Sequence, residues 1–387
     1  MLIWLSIGML FTLAAVLFVL LRWGRLQIQG VSPVSTPVFI AILFTSGLDV
    51  GLIMFPLTEF PVYANVIENP EYAFTNPLAI EFGFWGFLIW AMYFLTCFYF
   101  CVLESRVGFF KIPWVRWLNT LIIVGTCAFT AHLLFANLTW YLPSLASGGG
   151  FNLIYAAIVA VTITAAVYSS TDIRYVKILS VSSGVLFFVL LSGLAAYALI
   201  FEGVNGADFL ATIPLFGSYF IHLQEFVLPI NDYHAFYLFW WFAWSIMIGQ
   251  FTARFVGRMP TWKLFLSMLV WPSLSIAAWF AVLYVYHEKQ LATQGWVNTA
   301  MVVVGVVFVL NSLDSLIRLY SDNLPLSIDR LGKKAYILGH VIILSVLTLL
   351  FGLEFIRIQW VGALVIGLLL TCFAYTTLVK RAELAKI

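Results

Sequence analysis

Charge is what this sequence has least of. Asp, Glu, Lys and Arg make up 9% of the 387 residues, against 63% hydrophobic, about a third of the charged share of a soluble domain. That excludes a soluble globular chain, and a net charge of +2 gives no basis for a nucleic-acid or acidic partner. Cysteine is scarce too. Cys97, Cys101, Cys127 and Cys372 all fall inside apolar runs, so a disulfide framework is excluded. Cys97 and Cys101 share a helix face, but two thiols without a third ligand make a poor metal centre. His132, His222, His234, His287 and His340 are scattered, with no two at ligand spacing on one helix. HExxH, GxSxG and phosphate-cradling glycine loops are absent, so the chain is not expected to be an enzyme. Polar stretches long enough for a soluble domain are missing as well. The first run, Met1–Leu21, has neither a basic leading region nor a small-residue cleavage site, and reads as a membrane span rather than a signal peptide.

Long apolar runs are what the sequence does have. They are too long for barrel strands, and a backbone in lipid must bond to itself, so they are helices. Breaks between them give eleven spans, roughly 2–21, 36–57, 79–103, 117–141, 152–171, 178–201, 234–253, 263–286, 296–317, 335–353 and 358–379. The loops on one side carry seventeen of the nineteen basic residues. The other side carries Lys289 and Arg357. Positive loops stay in the cytoplasm, which predicts an odd number of spans, an outside N-terminus and a cytoplasmic C-terminus. Loops on the outer side are neutral or acidic, Glu59 to Glu71 among them. In the longest, 202–232, the stretch Phe209–Val227 is apolar but interrupted by Pro214, His222 and Glu225, as expected of an interfacial amphipathic helix.

Acids inside spans are costly and mark function. Asp49 lies in SGLDVG, between Gly47 and Gly51, midway along the second span. Two glycines four apart suit close helix packing, but an acid between them favours a broken helix whose freed backbone faces a cavity. Asp314 in NSLDSL has Arg318 four residues on, the spacing of a helix-end ion pair. The aromatics are concentrated in two places. Tyr233–Arg258 holds Trp240, Trp241 and Trp244, with Trp240, Trp244 and Phe251 on one broad helix face. A second set, FWGFLIWAMY at Phe84–Tyr93, lies on the third span. An indole in lipid needs a partner for its N–H, so these faces are expected to turn into the protein.

Together these stretches resemble the betaine/choline/carnitine transporters, a family that moves quaternary ammonium compounds. Trp85, Trp90 and Tyr93 match the family's spacing in the third span. Trp240, Trp241, Trp244, Gly249, Phe251, Ala253 and Arg254 match its tandem-tryptophan motif, Asn311–Ser315 resembles its T-S-x-D-S segment, and Ser170–Ser180 is similar to its cytoplasmic G-L-D-K-G-I-K-I-L-S. The resemblance implies an all-α polytopic membrane protein of about eleven transmembrane helices with the LeuT-type fold. It implies one membrane domain over 1–387: a leading helix and loop at 1–35, a first inverted five-helix repeat at 36–203, a linker helix at 204–232 and a second repeat at 233–380. It also implies a shortened member, without the family's first helix and terminal extensions, in the inner membrane, and a homotrimer as the assembly to test for.

The same resemblance implies a substrate site of Trp85, Trp90, Tyr93 and Trp241 around the onium group, with Trp240 and Trp244 along the path and Gly47, Leu48, Asp49 and Gly51 at the substrate's polar end. A quaternary ammonium has no N–H to donate, so ring faces must read it, at about 0.5–2 kcal/mol per ring. The implied coupling-ion residues are Thr45, Leu48, Phe308, Asn311 and Ser312, Thr126 at a second position, and Asp49 as a proton carrier. The ion is H+ or Na+; no other cofactor or metal is expected. The chain departs from the family at Asp49, where the family has glycine, and at Asn311, where it has threonine. The reading is an importer or exchanger of choline, betaine, carnitine or a similar solute. The alternative is a solute-binding sensor or accessory subunit that does not transport.

Overall fold

The computed structural model describes residues 1–48, 50–146, 152–323 and 326–385. Helix α1 (Leu2–Trp23) leads through the two-residue strand β1 (Gln27–Ile28) to α2 (Thr36–Gly47) and α3 (Val50–Ala64), which meet at a bend of 59°. Next come α4 (Pro77–Trp85), α5 (Phe87–Phe98), a π-turn at Tyr99–Leu103 and α6 (Glu104–Val107), within one apolar stretch of 31 residues. Helices α7 (Pro113–Tyr141), α8 (Leu153–Ser169) and α9 (Arg174–Phe201) follow. The connection α10 (Gly206–Leu210), α11 (Thr212–Ile221) and a tight turn at Leu223–Phe226 reaches α12 (Asp232–Thr252). Strand β2 (Met259–Pro260) pairs antiparallel with β1. The chain ends with α13 (Thr261–Glu288), α14 (Trp296–Asn323), α15 (Ile328–Leu331), α16 (Lys333–Gly352), α17 (Ile358–Ala374) and α18 (Arg381–Leu384).

Among the described residues, eight helices are long and apolar enough to cross a membrane, and α2–α3 is a ninth if the bent pair is one span. The protein is therefore an all-α, multi-pass membrane protein. Length and composition do not reach the eleven crossings expected from the sequence. Helix α8 has 17 residues. Helix α12 has 21, but Asp232, His234, Gln250 and its tryptophans lower its hydropathy.

Helix α12 is the axis of the molecule. The sequence suggested that one face turns inward, yet every residue from Tyr237 to Gly249 is buried. Its neighbours α5 and α17 approach at glycines. A Cβ on Gly249 would lie 2.2 Å from Thr96 Oγ1, and one on Gly362 2.2 Å from the Phe239 carbonyl oxygen. Thr96 completes the α5 contact by donating to the Ser245 carbonyl at 2.6 Å.

Two expected spans differ in detail. The third is broken at Gly86, whose N–H bonds the Phe82 carbonyl while its backbone leaves helical geometry. This separates Trp85 on α4 from Trp90 and Tyr93 on α5. The second span does not end at 57: α3 continues through Pro56 and Pro61 to Ala64. Pro56 lacks the N–H that would bond the Leu52 carbonyl, and the Trp279 indole donates to that carbonyl instead, at 2.8 Å. Glu59 is thereby moved from an outer loop into a buried helix. The linker α10–α11 starts with a capping box at Asn205 and Asp208, and Lys289 holds Asp208 at 2.7 Å. That hydrogen bond keeps the Asp208 carboxyl below its ordinary range. Leu210, Ile213, Phe220 and Ile221 point outward while Tyr219 is buried, the two-faced pattern expected of an interfacial segment.

Candidate functional site

The break between α2 and α3 creates the site. A helix end leaves carbonyls without partners, and here three of them are met by side chains from other helices. Asn311 Nδ2 on α14 donates to the Thr45 carbonyl at 2.7 Å, and Ser312 Oγ to the Leu48 carbonyl at 2.9 Å. Tyr93 on α5 donates its hydroxyl to the Gly47 carbonyl at 3.3 Å. Asn311 Oδ1 in turn accepts from Ser180 on α9 at 3.3 Å, and Ser46 and Ser315 face each other at 3.3 Å. Asp49 lies outside the described residues; its neighbours Leu48 and Gly51 are buried.

Aromatic rings cover this break. A Cβ on Gly47 would meet the rings of Trp90 and Tyr93 at 3.5 Å each. Trp90 and Tyr93 pack edge to face at 5.4 Å. One turn away, Trp85 packs edge to face on Trp241 at 4.9 Å and on Trp240 at 5.5 Å, and Trp240 stacks on Trp241 at 4.7 Å. All of these rings and Trp244 are buried. Trp241 is held by its indole N–H, which donates to the Phe84 carbonyl at 2.8 Å. Among the described residues, the indole N–H groups of Trp90, Trp240 and Trp244 have no hydrogen-bond acceptor, and that of Trp85 faces the Glu81 carboxyl. A cluster of ring faces with spare N–H donors suits a cation that carries an oxygen acceptor.

The expected ion residues are not all brought together. Thr45, Leu48, Asn311 and Ser312 meet as described. Phe308 packs its ring on Phe44 at 6.4 Å and Phe187 at 6.1 Å. Thr126 on α7 spends its hydroxyl on the Ile122 carbonyl of its own helix, at 2.8 Å. Among the described residues, no cluster of three or more His, Cys, Asp or Glu could hold a metal ion.

Next along α14, Asp314 and Arg318 form the ion pair that their spacing suggested, at 2.9 Å. Arg318 also donates to the carbonyls of Ser169 and Asp172, at 2.6 and 2.7 Å, and Ser169 Oγ donates to Asp314 at 2.6 Å. This network ties α14 to the turn between α8 and α9. Within that turn, hydrogen bonds from Arg174 lower the Asp172 carboxyl to about 2.

The sequence reading missed a second acidic pair. Glu59 on α3 accepts from Tyr63 at 2.7 Å, from Tyr237 at 2.7 and 2.9 Å, and from Tyr233. Glu81 on α4 lies beside Glu59, Tyr63 and Trp85. The available signal was an acid inside the apolar run Leu78–Trp85; Glu59 gave none, because two prolines marked its surroundings as a loop.

Helices of this length and arrangement define a multi-pass membrane protein with an aromatic cluster at a helix break. No family model matches the chain. It is similar to an uncharacterized transporter of Haemophilus influenzae, 26% identical over 327 residues, which is 74% of this chain and 46% of that protein. It is also similar to the glycine betaine transporter OpuD of Bacillus subtilis, 25% identical over 302 residues, 67% of this chain and 57% of that protein. The chain thus spans about half the length of the curated relatives it matches.

Proposed function

We propose that this protein is a secondary active transporter of a quaternary ammonium or related onium solute, such as choline, betaine or carnitine, related to the betaine/choline/carnitine family. The observation that carries the reading is the Trp90–Tyr93 ring pair packed on Gly47 at the helix break, 3.5 Å from where a Cβ would stand. Ring faces for the onium group and a broken helix for the polar end are the two halves of such a site. The indole N–H groups of Trp90, Trp240 and Trp244, without acceptors among the described residues, suit the carboxylate of betaine or the hydroxyl of choline. Both matched relatives are named as transporters, one of them for glycine betaine.

Alternating access in this reading follows a LeuT-type arrangement, with inverted repeats at 36–203 and 233–380. The basic loops favour a cytoplasmic C-terminus. Asp49 is the proposed selector of charge and carrier of a coupling proton. Asn311 and Ser312 bond the Thr45 and Leu48 carbonyls, and the bulk of Asn311 where the family has threonine, with Leu48 adding no side-chain oxygen, supports coupling without sodium. A thermal-shift screen of the purified chain against choline, betaine, carnitine and a sulfonium analogue, with and without sodium, tests the reading. Ligand binding stabilises by mass action, so at least one onium solute should raise the melting temperature equally in both conditions. No shift with any of them sinks it.

A further inference from the structure

We propose that Glu59 and Glu81 hold one exchangeable proton between them, and that Trp85 links the proton's presence to the aromatic site. The proton site stands on the structure alone; its link to solute rests on the transporter reading above.

The two carboxyls differ in their surroundings. Glu59, 4% exposed, takes the phenolic hydroxyls of Tyr63, Tyr233 and Tyr237 onto its two oxygens. A carboxylate accepting three O–H donors is well satisfied as an anion. Glu81 is fully buried against the Glu59 carboxyl, the Tyr63 hydroxyl and the Trp85 indole, and among the described residues no donor reaches either of its oxygens in good hydrogen-bond geometry. A second anion there would be desolvated, unbonded and repelled by the first. None of the ion pairs among the described residues brings a basic side chain to either carboxyl. A cation must therefore accompany Glu81. The rings around it are already in contact, Trp85 with Tyr237 at 5.7 Å and with Trp240 at 5.5 Å, and a proton is the cation that needs no added space.

The groups facing the pair are consistent with this. Tyr63 comes from α3, Tyr72 from the connecting loop, and Tyr233, His234 and Tyr237 from α12. His234 stacks on Phe84 and takes the Ile230 N–H on its Nδ1, so it is occupied elsewhere. Tyr219 and Phe226 pack on the far side of α4 through Phe82 and Gly83. Tyr284 and His287 of α13 pack on Phe60. Tyr233, at the start of α12, is 39% exposed while bonded to Glu59, and the proposed route for the proton leads past it. On release the Glu81 O–H bond breaks, the proton passes to solvent water, and Glu81 is left as a carboxylate beside Glu59. Trp85, in contact with Glu81, Trp240 and Trp241, carries the resulting change to the aromatic cluster.

The test uses the full chain in lipid, followed by infrared difference spectroscopy of protonated carboxyls between about pH 5 and 9, a range in which buried carboxyls titrate. Betaine and choline affinities are read from tryptophan fluorescence over the same range. Wild type should lose one protonated-carboxyl signal as pH rises. Glu81→Gln, which copies the protonated shape, should lack that signal and bind solute independently of it. Glu59→Gln should keep the signal but lose it at a different pH, and Asp49→Asn should leave it in place. A signal unchanged in Glu81→Gln, or absent in wild type, overturns the proposal. If the signal behaves as expected and neither solute binds wild type, the proton site stands and the transporter reading falls.

Discussion

Trp90 and Trp241 do different work although both are buried indoles. Trp241 spends its N–H on the Phe84 carbonyl, so Trp241→Leu removes a ring face and also strands a buried carbonyl, costing about 1–3 kcal/mol of stability. Trp90 has no such bond. Trp90→Leu leaves a cavity at a buried ring, so it should lower the melting temperature and weaken onium binding by about 1–2 kcal/mol, while Trp90→Phe keeps most of the affinity; equal loss of affinity in both variants would remove ring-face binding at Trp90. Ser312→Ala removes a donor to the Leu48 carbonyl, and it should alter stability without creating or abolishing any effect of sodium on binding. A sodium requirement in wild type that this variant abolishes would show that an ion, not two side-chain donors, belongs at the break. Asp49, in a chain whose relatives' family has glycine there, is expected to favour cations. Asp49→Gly should shift the choline-to-betaine affinity ratio toward betaine, and an unchanged ratio makes Asp49 a structural residue. Tryptophan spacing made the ring residues legible in the sequence, because few other chemistries need three indoles in two turns. Glu59 and Glu81 were not legible as a pair, since their proximity depends on a helix running through two prolines.

Helix α12 shows how an element can be polar in composition and still be central. Tyr237, Trp240 and Trp241 pack on Phe55 of α3, Trp85 of α4 and Phe129 of α7, so the helix can be buried where hydropathy alone would rank it low. Close approach of α5 depends on Gly249. Gly249→Ala places a methyl 2.2 Å from Thr96 Oγ1 and should cost about 1–3 kcal/mol by overpacking, read as a lower melting temperature in detergent. An unchanged melting temperature would mean the two helices separate freely. Neither Thr96→Ser nor Thr96→Ala can relieve this clash, because the Thr96 Cβ and backbone carbon lie 2.5 and 2.6 Å from the same point. The spans themselves were legible from apolar runs, to within a few residues at most ends. Their breaks were legible only where glycines flanked an acid. Gly86 in the third span carried no such flag, and the continuation of α3 to Ala64 required the Trp279 indole, a partner more than two hundred residues away.

At the scale of the whole molecule, the distribution of charge supports the proposed orientation and the helix break the proposed site. Basic residues concentrate on one side of the expected topology, and the two on the other side, Lys289 and Arg357, are each paired with an acid, Asp208 and Glu354. The Arg318 network holds α14 to the turn between α8 and α9, on the basic side, while the Glu59 cluster holds α3 to α12 on the other. In the transporter reading, alternating access would open one set while the other stays closed; both networks are formed in this structure. Accumulation is the property that separates a transporter from a protein that only binds. The direct measurement is uptake of labelled choline and betaine into vesicles containing the purified chain, driven by an inward proton gradient without sodium. The account predicts accumulation of at least one solute above its external concentration, collapsed by a protonophore and lost in Trp90→Leu. Binding of the solute with no accumulation under any imposed gradient would contradict it.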